Sequence, residues 1–201
     1  IQGIKTTDDV SYKLGVLCAK NHYLRQEPLP LKHIIPPSIL NRKDAYAYSL
    51  NDFYCKWLLA KGDFDVFHPT YYDPYFIEKI KKPLVVTIHD MTYERLPEYF
   101  WAQDPLTRQK RLNIERADAI IAISNTTRND ILNYFNIDAS KISVIYHGID
   151  LDTGIESRPI ANLSSSYLLF VGDRSGYKNF YLFLNSFKQL ARRYSDLRVV
   201  L

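Results

Sequence analysis

The stretch Tyr167–Phe187, YLLFVGDRSGYKNFYLFLNSF, decides how this chain reads. Tyr167 to Val171 is an apolar run of strand length that stops at Gly172. After a short polar loop, Asn179 leads into apolar residues at Phe180, Phe183, Leu184, Phe187, Leu190, Ala191 and Tyr194. That spacing is helical, and the run before it predicts a buried strand. A glycine straight after a strand lets backbone approach a ligand closely, and the next helix opens with unpaired N–H groups at the positive end of its dipole. Arg174 and Lys178 add two full positive charges at the same mouth. The combination suits phosphate, and a diphosphate best. The plainer alternative is a solvated loop with one cation beside Asp173. Neither GxGxxG nor the P-loop spacing GxxxxGKS/T is present, so phosphate binding rests on Gly172, Arg174 and Lys178 themselves.

Upstream, the same alternation of strand and helix recurs. Leu84 to Ile88 reads as a strand ending at His89-Asp90, and Leu106 to Arg116 has helical spacing. Ala117 to Ile123 is a second strand, turning at Ser124-Asn125-Thr126 into a side-chain-capped helix with Ile131, Leu132 and Phe135 inward. Lys141 to Tyr146 is a third strand, before His147-Gly148-Ile149-Asp150. Such alternation predicts an α/β protein with parallel sheets and helices on both faces. In open sheets of this kind the ligand crevice lies beyond the carboxyl ends of the strands. His89, which donates or accepts a hydrogen bond near neutral pH, is therefore the first candidate in the N-terminal half; a purely structural histidine is the alternative. Asp90 reads as capping the next loop or orienting His89.

Nearer the N-terminus, Val10, Leu14, Leu17 and Cys18 predict a helix over 8–23, and Pro28, Pro30, Pro36 and Pro37 punctuate a loop. Tyr48, Phe53, Trp57 and Leu58 predict a helix over 44–59 that ends near Gly62. Residues 65–68 read as a short strand. Residues 69–74 form an aromatic loop that pads a domain edge, with sugar stacking as the alternative. Residues 92–104 read as an irregular aromatic loop. Arg108, Lys110, Arg111 and Arg116 give the helix over 106–116 a basic face, solvated or, in the sharper reading, set against anionic lipid. Residues 151–166, with Pro159 and Ser164-Ser165-Ser166, lack periodicity and read as an inter-domain connection.

Composition bounds the rest. The chain has 201 residues, 46% hydrophobic and 24% charged, which excludes disorder and allows one good core or two small ones. A net charge of +4 suits anionic ligands or a membrane face. No basic run or RNA-binding signature accompanies it, so nucleic acid is not an expected partner. Cys18 and Cys55 are the only cysteines and lie far apart, which indicates neither a disulfide framework nor a zinc site and fits a cytoplasmic setting. No uncharged apolar run approaches the roughly 18 residues of a membrane span. The start at Ile1 and the stop inside LRVVL, where a strand begins, suggest a piece of a longer protein.

Four segments, VVTIHDMTYERLPEYF from Val85, ADAIIAISNTTRNDI from Ala117, KISVIYHGID from Lys141 and FVGDRSGYKN from Phe170, together resemble the family-four retaining glycosyltransferases of GT-B architecture. The resemblance implies two Rossmann-like domains: an acceptor-side domain over 1–150, a linker over 151–166, and the first strand and helix of the nucleotide-sugar-binding domain over 167–201. It implies transfer of a sugar, with retention and without metal or cofactor, from a GDP- or UDP-linked donor to a glycan or lipid-linked hydroxyl acceptor. Bacterial polysaccharide or lipopolysaccharide assembly is the expected setting, mannose the leading sugar, and the cytoplasm or the inner face of the membrane the expected place. By the same resemblance Gly172, Arg174 and Lys178 face the donor diphosphate, and His89 reaches the transferred sugar. Asp90 is a lesser contact, as is Gly3, whose surroundings are similar to the remnant of a glycine-rich loop with one glycine where the family usually has two. Family members often carry asparagine at the position of His147, which gets no role. The paired glutamates that hold sugar and ribose would lie beyond Leu201, so this chain alone is expected to be inactive. A non-catalytic nucleotide-sugar-binding module and a sugar-nucleotide epimerase of similar fold are the competing readings.

Overall fold

The apolar runs near residues 85, 119 and 142 lie side by side in the computed structural model, which describes residues 9–19, 24, 27–31, 44–148, 167–174 and 176–201. In chain order the described elements are α1 (Asp44–Lys61), β1 (Val85–Ile88), α2 (Thr92–Arg95), α3 (Leu106–Arg116), β2 (Ala119–Ala122), α4 (Asn125–Tyr134), β3 (Ile142–Val144), β4 (Tyr167–Leu169), α5 (Phe180–Ala191) and β5 (Arg198–Val200). They fall into two compact units, one of residues 1–89 and 105–145, the other of residues 90–104 and 146–201.

In the first unit the strands form a parallel sheet in the order β1-β2-β3, with Val85 opposite Ala119 and Ile120 opposite Ile142. Phe67 adds a single parallel bridge to Leu84. Leu84, Val86, Ile88, Ile120, Ala122 and Ile142 are buried, as the period-two geometry of a strand places them on one face. The helices that cover the sheet start and stop by local chemistry. Ser124 caps α4 by accepting a hydrogen bond from the Thr127 N–H at 3.0 Å, and Ile131 and Phe135 are buried beyond it. Gly62 ends α1 at φ 66°, a left-handed conformation that favours glycine. Asp118 fastens the start of the sheet: its carboxylate accepts from the Leu84 N–H at 2.8 Å and from Arg116 at 3.2 Å. The Leu84 donor, and then Arg116, hold that carboxyl below the usual carboxylate range.

In the second unit β4 and β5 pair in parallel, Tyr167 opposite Arg198 and Leu169 opposite Val200, with α5 as the crossover between them. The helix seats on the strand through aromatic rings: Phe170 meets Phe180 at 5.0 Å and Phe183 at 5.2 Å. Parallel pairing in both units is the α/β architecture that the alternating pattern predicted.

Several expectations are corrected. Residues 9–19 carry no helix. Their backbone polar groups are claimed from elsewhere: Asn51 on α1 accepts from the Leu17 and Cys18 N–H groups at 2.9 and 3.2 Å and donates to the Cys18 carbonyl at 2.9 Å. Gly15 lies so close to α1 that a Cβ there would meet the Cys55 sulfur at 3.1 Å. The segment 65–68 contributes the Phe67 bridge and not a strand. The loop 92–104 is more ordered than expected, with α2 and a 3-10 turn at Pro97–Tyr99. Strand β4 ends at Leu169 and is not buried, because β5 is its only partner among the described residues and Tyr167 and Leu169 stay exposed. The basic face of α3 loses Lys110, which is 1% exposed. Gly3, Asp150 and the connection over 151–166 lie outside the described residues. No described helix is long and apolar enough to cross a membrane.

Candidate active site

His89 stands directly after β1, at the carboxyl end of the parallel sheet. Its own N–H donates to the Tyr72 hydroxyl at 2.9 Å, and the two rings meet edge to face at 6.4 Å. The residue is half-exposed, and its backbone is fixed from behind by Tyr72. A second histidine, His68, comes to the same strand: a ring nitrogen lies 2.9 Å from the Thr87 hydroxyl. His68 is exposed as a residue, yet local desolvation of its ring lowers its pKa from the ordinary histidine value. Asp90 accepts from the Thr92 N–H at 2.9 Å, an Asx turn that opens α2.

The second unit holds the loop after β4. Gly172 sits at φ 136°, a backbone conformation that L side chains rarely adopt, and a Cβ there would meet nothing within 4 Å. The glycine is required by the turn of the chain, and the space beside it is open. Arg174 lies over the Phe180 ring and Lys178 over the Tyr177 ring, at 5.8 and 4.9 Å from the ring centres. Both cations are exposed. Residues Gly176–Lys178 form a 3-10 turn, and Asn179 reverses the chain into α5 at φ 54° without making a side-chain capping hydrogen bond. The Asn179 carbonyl accepts from the Leu182 N–H at 3.1 Å, but its side chain takes none of the amide donors at the start of α5, and a helix terminus without a side-chain cap can receive an anion.

The turn is held by aromatic residues from the segment 92–104. Tyr93 and Phe100 stack at 3.7 Å, Phe100 touches Tyr177 at 5.6 Å, and the Tyr99 ring comes within 3.8 Å of a Cβ built on Gly176. Sequence reasoning passed over these residues; the density of aromatics in TYERLPEYF was the available signal. It passed over Tyr72 as padding, although that ring is 4% exposed. The predicted residues therefore divide as follows: Gly172, Arg174 and Lys178 share one loop of the second unit, and His89 closes a strand of the first. Among the described residues no group of three or more His, Cys, Asp or Glu side chains converges to hold a metal ion.

A parallel α/β domain accords with the class that the sequence comparison identifies. Residues 13–153 match Glycosyltransferase Family 4, and the chain belongs to that family. The O-antigen chain mannosyltransferase RfbU of Salmonella typhimurium is 26% identical to it over 110 residues, which cover 55% of this chain and 30% of that protein. The family match includes His89 and ends before the loop at Gly172.

Proposed function

We propose that the protein moves a sugar from a nucleotide-diphosphate donor to a hydroxyl acceptor in polysaccharide assembly, with retention at the anomeric carbon and no metal ion. The difficult step is departure of an anionic diphosphate as the sugar gains oxocarbenium character. Positive charge fixed in advance around the leaving group lowers that barrier, and losing one such donor typically costs about 3 kcal/mol of transition-state stabilisation. Arg174, Lys178 and the opening turn of α5 supply this charge, and Gly172 leaves room for the phosphates. His89 contacts the transferred sugar from the end of β1. Asp90 acts on the loop that follows, and Gly3 is a lesser donor contact.

The observation that carries this reading is the loop after β4, where a glycine at positive φ, two exposed cations and a helix start without a side-chain cap occur together in a family-four chain. The name of the Salmonella relative makes a mannosyl donor the first to test. The donor is GDP- or UDP-linked, the acceptor is a glycan or a lipid-linked glycan, and the place of action is the cytoplasmic face of the membrane. Thermal protection of the complete protein by a panel of GDP- and UDP-sugars, followed by product analysis with the protecting donor, tests the proposal. Transfer with retained anomeric configuration is expected. Protection without turnover would instead favour a binding module, and an isomerised donor would favour an epimerase.

A further inference from the structure

Strand β1 ends at Ile88, so the N–H of His89 falls beyond the sheet ladder and needs another acceptor. Tyr72 supplies it, at 2.9 Å, from a side chain that is 4% exposed. A ring so deeply buried has almost no surface to offer a substrate, and it meets solvent-facing chemistry through His89. Tyr72 is in turn held from α3. Asn113, with no exposed surface, donates one amide proton to the Tyr72 carbonyl at 2.7 Å and another to the Gln109 carbonyl of its own helix at 2.9 Å. One turn earlier on the helix, Lys110, 1% exposed, places its ammonium 5.7 Å from the centre of the Tyr72 ring.

This arrangement is unfavourable as mere packing. Lysine is almost never fully buried, and a buried amide is destabilising wherever an atom goes unpaired. The Asn113 Oδ1 atom is buried without a hydrogen-bond partner among the described residues. Two buried polar side chains on one helix converge on a single tyrosine, and that tyrosine grips the backbone of a single site residue.

We propose that Tyr72 is a positioning residue for His89, held in place by Asn113 and Lys110 of α3. The grip sets the height of the imidazole above the sheet, where a small misplacement slows a reaction without weakening ground-state binding. The proposal rests on the reading that His89 acts on the transferred sugar. Tyr72→Phe, made in the complete protein, keeps the ring and removes the hydroxyl that accepts from the His89 N–H. In this variant the His89 amide is expected to exchange with solvent at least tenfold faster. Its kcat is expected to fall about tenfold, with the donor KM changed by less than about twofold. In a His89→Ala background Tyr72→Phe should lower kcat no further, because the two residues act as a unit. Unchanged exchange at His89, or a kcat loss that adds in full to that of His89→Ala, overturns the proposal. Full turnover by His89→Ala would sink the catalytic reading separately, and the exchange rate would still decide whether Tyr72 holds that backbone.

Discussion

The guanidinium of Arg174 lies 5.8 Å from the centre of the Phe180 ring. Phe180 is the first residue of α5, is buried, and packs edge to face on Phe170 just past β4. One ring therefore seats the helix on the strand and offers a platform to the cation proposed to meet the diphosphate. Phe180→Leu keeps an apolar plug and loses the platform. A cation–π contact at an exposed site is worth about 0.5–1 kcal/mol, so affinity for UDP or GDP should fall roughly two- to fivefold. Loss of ring packing should lower stability by about 1–2 kcal/mol. Calorimetry and urea denaturation separate the two effects.

Phe100 links the Tyr93 ring to Tyr177 in the turn that carries Lys178. Phe100→Ala removes both contacts while leaving every charged residue in place. The turn then loses its fixed position, and nucleotide affinity should fall several-fold with the maximal heat per site unchanged. Phe100→Tyr, which keeps the ring, should bind as the parent protein does. Equal affinity in Phe100→Ala would show that the turn holds its shape unaided.

His68 gives the fold a pH dependence of known sign. Its folded pKa lies below the ordinary value, through local desolvation of the ring; because the residue is exposed, the effect on stability is small. A depressed pKa contributes stability that is fully present above the unfolded value of about 6.5 and is lost as pH falls through the folded value. Asp118 and Asp138, held low by the Leu84 and Ser140 backbone N–H groups, titrate in a more acid range. His68→Asn retains a hydrogen-bonding group for Thr87 and cannot be charged. Its melting temperature should therefore decline less than that of the parent between pH 6.5 and 4.5. Parallel decline of the two proteins would exclude His68 as the source.

Much of this was legible in the residues. The runs at 84–88, 117–123 and 141–146 declared themselves as strands because each is apolar, short and bounded by polar or helical signals, and Ser124 announced its helix by the chemistry of a cap. That His89 and the Gly172 loop each come after a strand was legible from the apolar runs before them. What escaped was whatever depends on partners far away in the chain. Helical spacing at Val10, Leu14, Leu17 and Cys18 could not reveal that Asn51 would claim the backbone there. Lys110 looked like part of a solvated face because charge patterning says nothing of the tyrosine ring, 38 positions earlier, that it packs against. Tyr72 was one of 16 tyrosines, and only the position of its hydroxyl distinguishes it.

The central claim is that Arg174 and Lys178 grip the diphosphate. Calorimetric titration of the protein with UDP and GDP, beside Arg174→Ala and Lys178→Ala, tests it most directly. A hydrogen bond to a charged group contributes about 1.5–3 kcal/mol, so each substitution should weaken binding of the preferred nucleotide roughly 10- to 100-fold. Parent-like affinity in both variants would contradict the account.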